Sequence, residues 1–189
     1  MRKNFKNTIV TPLPVLIVGT YDENGNPNAM NVAWGGQCGD RYVALNLAPR
    51  RKTLENIRLN RAFTISFADR DNLVPADYVG IDSGLKVADK VARTGWTIVK
   101  AEQVNAPIFE QLPLALECRL TAIEETSIGE IRVVGEVVNT SADEKLLDDN
   151  GKIDLGRLHA LVFDSASALY RVVGEQVGRA FHDGAALRR

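Results

Sequence analysis

The sequence predicts a mainly β protein, an antiparallel barrel, closed or split, with short helical additions. About six or seven short stretches with strand composition follow one another along the chain, several of them separated by strong turn signals. Only one pair of successive strands has a helix between them, and that helix is short. This disfavours the alternating order of a doubly wound parallel sheet. With 189 residues, 45% of them hydrophobic, the chain can bury one core, and we expect a single domain over residues 1–189.

Pro14–Tyr21 is an apolar run rich in β-branched residues, and Asn24-Gly25 behind it marks a tight turn. Asn28–Trp34 then returns as its antiparallel partner. Along it Met30, Val32 and Trp34 share a bulky face, while Ala29, Asn31 and Ala33 share a small, partly polar one. Small side chains let a flat ligand approach the backbone, and a bulky face belongs to a core. Gly35-Gly36 is expected to end the run as a loop with bare amides. Arg41–Leu47 alternates as the next strand, with Tyr42, Ala44 and Asn46 opposite Val43, Leu45 and Leu47. Pro49 stops it. A short amphipathic helix follows to Arg61, with Thr53 as its expected N-cap and Leu54 and Ile57 on its apolar side.

Ala62–Phe67 reads as a strand, after which the pattern turns to helices and loops. Pro75–Val79 is expected as a helical turn, Ile81–Gly84 as a loop, and Lys86–Thr94 as a helix stopped by Gly95. This excursion is not needed to close a barrel, and such excursions often cover a ligand site. Pro107–Pro113 is a connector. Leu114–Glu124 and Glu130–Asn139 form the clearest hairpin, turning at Ser127-Ile128-Gly129, with a bulge or bend at Gly135. Ser141–Leu147 reads as a capped helical turn, Asp148–Gly151 as a turn, and Leu169–Val173 as the last strand; Ile153–Leu161 is left open. From Glu175 a helical tail is expected.

Charge and composition exclude several functions. A formal net charge of −1 gives no bulk attraction to nucleic acid or an anionic membrane. No apolar run reaches the roughly 18 residues of a bilayer span, and Pro12 and Pro14 interrupt the apolar start, so neither a signal peptide nor membrane partner is expected. Cys38 and Cys118 lie far apart without CxxC spacing, which fits a reducing, cytoplasmic setting. Nucleophile-elbow, zinc-protease, P-loop and dinucleotide-binding motifs do not occur. His159 and His182, the only histidines, do not build a metal site, and Asp143, Glu144, Asp148 and Asp149 read as a solvated turn.

The chemistry that remains lies at the basic junction. A helix N-terminus offers open amides and partial positive charge; Arg51 and Lys52 add full charges and Thr53 a hydroxyl. Such a set suits a phosphate monoester. A capped helix with solvated cations explains the same residues, the more so because Glu55 already answers the helix dipole. Trp34 before Gly35-Gly36 is either core or the border of an aromatic ligand. Ser83-Gly84 with Lys90 makes a third cluster with the same two readings.

Taken in order, NAMNVAWGG, RKTLENI, ADYVGIDSG with Asp89-Lys90, NAPIFEQLPLALECRL and VVGEVVN resemble the flavin reductase-like family, and within it the flavoredoxins. The resemblance runs from about Pro14 to about Phe181. It implies an FMN-binding split barrel, usually a homodimer, with FMN held noncovalently near the subunit interface. Carried onto this chain, Asn31, Val32, Ala33 and Trp34 would line the ring and ribityl chain. Arg51, Lys52 and Thr53 would take the phosphate, and Ser83, Gly84 and Lys90 would add contacts. The resemblance further implies electron transfer from NAD(P)H, as a transient reductant, or from a redox partner. Two departures stand out. Leu85 occupies a position where many relatives have arginine, and Gln37–Arg41 is shorter than in some relatives and lacks their prolines. A non-redox barrel module binding another phosphorylated ligand or nucleic acid is the alternative.

Overall fold

The structure is a computed structural model that describes residues 1–188. It is mainly β, built on a seven-stranded antiparallel sheet curled into a split barrel. Its strands are β2 (Leu16–Tyr21), β3 (Pro27–Val32), β4 (Gly35–Gly39), β5 (Tyr42–Leu47), β6 (Ala62–Phe67), β9 (Leu114–Glu125) and β10 (Ile131–Ala142). They are ordered β3-β2-β6-β9-β10-β5-β4. The two edge strands, β3 and β4, are consecutive in the chain, so the split is bridged only by Ala33-Trp34.

Two smaller sheets and three helices attach to this frame. β1 (Leu13–Pro14) joins β11 (Leu161–Asp164) and β12 (Leu169–Val172) in a three-stranded sheet, and β7 (Ile98–Lys100) pairs with β8 (Pro107–Phe109). α1 (Lys52–Asn60) runs between β5 and β6, α2 (Leu73–Ile81) lies against β3, and α3 (Leu155–Leu158) precedes β11.

Alternation decides what each face of the barrel does. Phe63 and Ile65 of β6, Leu16 and Val18 of β2, and Val43, Leu45 and Leu47 of β5 point into one core. α1 plugs that core, because Leu54 and Ile57 fall three residues apart on its inner side and are fully buried. On the opposite face of β2 and β3, Val15, Ile17 and Ala29 meet Ala76 and Val79 of α2, Trp96 and Phe109. The excursion between β6 and β9 is therefore the second layer.

Several local expectations change. Gly35-Gly36 is not a loop: the amide of Asn46 bonds the Trp34 carbonyl at 2.8 Å, and Gly35–Gly39 pairs with β5 as a full strand. Arg51, not Thr53, is the N-cap of α1. Lys86–Thr94 forms turns and a 3-10 segment at Ala92–Thr94 in place of a helix, although Gly95 stops it in the left-handed region as expected. Pro107–Pro113 contains the strand β8, and Ser141-Ala142 extends β10, leaving the helical turn to Glu144–Leu146 under an Asp143 cap. The segment left open at 153–161 holds α3 and the start of β11. After Glu175, among the described residues, only Asp183–Leu187 is helical, as a 3-10 segment. The expected hairpin and its turn are present, and the register shifts between Val134 and Gly135.

Candidate functional site

Beside the split, between the end of β3 and the start of α1, lies a cavity of about 370 Å³, within the range of small-ligand sites. One wall is the strand segment Asn31, Val32, Ala33 and Trp34. The second is the junction Arg51, Lys52 and Thr53, and the third is Ser83, Gly84 and Lys90 from the excursion. The ten residues singled out from the sequence thus border one space. Asn28, Met30, Asn46, Gly80, Asp82 and Phe163 border it too.

The strand wall combines both predicted faces. Met30 and Val32 pack on the barrel core, while Asn31 turns to α2 and donates from Nδ2 to the Ala76 carbonyl at 3.0 Å. Gly80 is what brings α2 so near, since a Cβ there would stand 3.0 Å from the Asn31 Cβ. Trp34 is 65% exposed, so the core reading of this residue is wrong: β3 has ended at Val32 and the indole leaves the packed face.

At the α1 end the first backbone bonds are donated by Leu54 and Glu55, both to the Arg51 carbonyl, at 3.0 and 3.2 Å. The amides of Lys52 and Thr53 precede them, where a helix has no partner of its own to offer. Arg51 is exposed, and its side chain makes no capping bond. Thr53 is buried, and its Oγ1 accepts a hydrogen bond from Asn28 Nδ2 at 2.9 Å. Lys52 departs from the expected free cation: its Nζ donates to Glu23 Oε2 at 3.0 Å, with Glu55 at 3.9 Å. That hydrogen bond holds the ammonium above its usual pKa, with burial acting the other way.

Lys90 is the least ordinary group. It is only 3% exposed, and its Nζ donates to the Val79 carbonyl at 3.0 Å and to the Asp82 carbonyl at 2.8 Å, closing the C-terminal end of α2. Burial lowers its pKa to about 8, the Asp82 charge opposing and the nearby Arg51 charge assisting. On the far side Tyr170 donates to Asp77 Oδ1 at 2.8 Å and tilts against Phe163, ring centres 6.0 Å apart. Burial, reinforced by Asp77, pushes the phenol up to about 12.

Some of these residues had a sequence signal. Asn28 is an amide inside a strand, which asks for a partner, and Gly80 is an isolated glycine in a helical run, which asks for a close neighbour. Glu23 and Phe163 carried none, because only the fold brings them here. No group of three His, Cys, Asp or Glu side chains that could hold a metal occurs among the described residues.

A barrel split at β3 and β4, with a helix N-terminus and a glycine-lined loop facing the split, defines a class, and the chain belongs to it. The model of the flavin reductase like domain family matches residues 9–161. Among solved structures, the chain is similar to the flavoredoxin of Desulfovibrio vulgaris (Miyazaki F), with 35% identity, a TM-score of 0.92, and coverage of 97% of this chain and 100% of that one. It is also similar to the flavoredoxin of Methanosarcina acetivorans, at 25% identity, TM-score 0.89, and 99% and 98% coverage. A curated relative, an uncharacterized protein of Aeropyrum pernix, is 26% identical over 129 residues, which is 64% of this chain and 49% of that protein. The match spans about half the length of that relative. Phe163 and Tyr170 lie beyond the family match.

Proposed function

We propose that this chain is a flavoprotein that binds FMN noncovalently and passes electrons between a donor and an acceptor. The observation that carries the reading is the meeting of strand, helix N-terminus and excursion at one cavity, in a chain of the flavin reductase-like family. The donor set fits the cofactor. Open amides at Lys52 and Thr53 with the free Arg51 suit a phosphate, and the strand wall from Asn31 to Trp34, which borders the cavity where β3 ends, offers its backbone to a planar ring.

In this reading Arg51, Thr53 and the α1 amides hold the phosphate, and Asn31, Val32, Ala33 and Trp34 lie along the ring and ribityl chain. Ser83, Gly84 and Lys90 close the third side. When bound, the flavin supplies the redox chemistry, accepting a hydride or electrons and giving them onward. The protein's share is orientation, amide donors and positive charge. Trp34 and Phe163 both border the space that the ring would take. The electron donor is NAD(P)H acting transiently, or a redox partner. The protein works as a cytoplasmic homodimer, whose second copy would complete the exposed side near Trp34. Among the described residues no helix is long and apolar enough to cross a membrane.

The nucleic-acid alternative has less support, because the junction is no free cationic groove: Lys52 is paired with Glu23, and Lys90 is spent on two carbonyls. Purified protein incubated with FMN should retain a yellow flavin spectrum through gel filtration. A colourless protein would overturn the proposal. Anaerobic mixing with NADH or NADPH then separates the two donors, since bleaching marks nicotinamide and an unbleached flavin marks a protein partner.

A further inference from the structure

Asn28, Lys52 and Gly84 form a waist with space on both sides. They border the cavity described above and also a second one of about 550 Å³, which is walled by Asp22, Leu85 and Asp89. The two spaces meet at the end where a phosphate would sit, and they differ in charge. The first has Arg51, Lys52 and Lys90 against Asp82. The second has two carboxylates, and its one lysine, Lys52, is tied to a third carboxylate, Glu23, at 3.0 Å.

These acids differ in what they leave free. Asp89 is bound by Arg93 at 2.9 Å, which cancels much of its field. Asp22 is fixed in the turn: its carboxylate accepts from the Asn24 amide at 2.9 Å, the Asn26 amide at 2.8 Å and Asn26 Nδ2 at 3.0 Å. It has neutral partners and cannot swing aside. Glu23 shares its charge with Lys52, as Asp89 does with Arg93, and acts by holding that lysine away from any second anion.

We infer that the Asp22-Glu23 turn is a filter that admits a flavin ending in a monoester phosphate and disfavours a flavin dinucleotide. A monophosphate stops at the waist. A dinucleotide must carry its second phosphate over it, past Asn28 and Gly84, into the space walled by Asp22, where Lys52 is already held by Glu23. Like charges a few ångströms apart in a solvent-reached cleft repel by amounts that salt can screen. This inference rests on the FMN reading and assigns the turn a role in choosing between flavins.

Fluorescence quenching titrations of FMN, FAD and riboflavin with the full-length apoprotein, Asp22→Asn and Glu23→Gln test it. Asparagine retains the Oδ1 acceptor for both turn amides, and Glu23 is exposed, so both variants are expected to fold, as circular dichroism can verify. We expect FMN to bind about tenfold or more tighter than FAD, and each substitution to lower the FAD-to-FMN ratio of Kd values about three- to tenfold at low salt. The change should shrink at about 0.5 M salt. For Asp22→Asn, FMN affinity itself should move less than about threefold. Equal binding of FMN and FAD by the wild-type protein, or an unchanged ratio in both variants with FMN binding intact, overturns the filter and leaves the FMN reading standing. Failure of the wild type to bind FMN at all overturns both.

Discussion

Thr53 is the second residue of α1, 1% exposed, and its hydroxyl is the acceptor for Asn28 Nδ2. Asn28 reaches a second hydroxyl, Thr20 Oγ1, only at 3.4 Å. Thr53→Val keeps the volume but leaves the buried amide poorly paired, and should cost about 1–3 kcal/mol in urea denaturation. Thr53→Ala combined with Arg51→Ala should weaken FMN more than riboflavin in parallel titrations, because only FMN carries a phosphate; equal losses would move the phosphate elsewhere. Lys90 gives a pH signature. Its pKa falls from 10.5 to about 8 on folding, so between those values the unfolded chain binds more protons than the native one. Stability from this group therefore rises as pH climbs from about 8 to 10.5 and is lower throughout the range below. The neutral amine still has two N–H donors, enough for both carbonyls. Lys90→Met should remove that rise, seen as the difference between wild-type and variant urea midpoints at about pH 7.5 and 10.

At the scale of elements, α2 and the irregular segment after it are positioned by contacts that periodicity does not record. Lys86–Thr94 has the composition of a helix, yet Lys90 can reach the Val79 and Asp82 carbonyls only from a chain that folds back over the end of α2. The burial of one ammonium decided against the helix. Gly35–Gly39 fails the other way, since GGQCG has no strand propensity and is a strand because β5 offers it partners. β11 was not legible because one of its partners, β1, lies at the other end of the chain. The hairpin of β9 and β10, with its turn and bulge, was legible because alternation and glycines are local. The meeting of strand, junction and excursion came from ordered motifs, whereas the Lys52–Glu23 pairing had no mark, because Asn24-Gly25 announces the turn but not the lysine 29 residues away that it meets. Gly80→Ala tests the excursion as a unit: its Cβ would press on Asn31, shifting α2 at a cost of about 1–3 kcal/mol. FMN affinity should fall by more than the loss of thermal stability implies.

Over the whole molecule, the barrel interior depends on close approaches to glycine, one of them at its centre. A Cβ on Gly135 would stand 2.5 Å from Cζ of Phe63, a fully buried ring at the centre of the core. Gly135→Ala should destabilise by about 1–3 kcal/mol. In a Phe63→Leu background the penalty should shrink, and the coupling is measurable in a double-mutant cycle by chemical denaturation. The same architecture leaves β4 as a thin edge, exposed from Gly36 to Gly39 and paired, among the described residues, with β5 alone. A flat, glycine-rich edge has little to fix its register and accepts a strand from another molecule. Cys38 sits on it, exposed and free. Shelf life thus depends on the redox state of the storage buffer: without thiol, copies that touch along this edge should become covalently linked through Cys38. A non-reducing gel would show the linked species accumulating in the wild type and missing from Cys38→Ser.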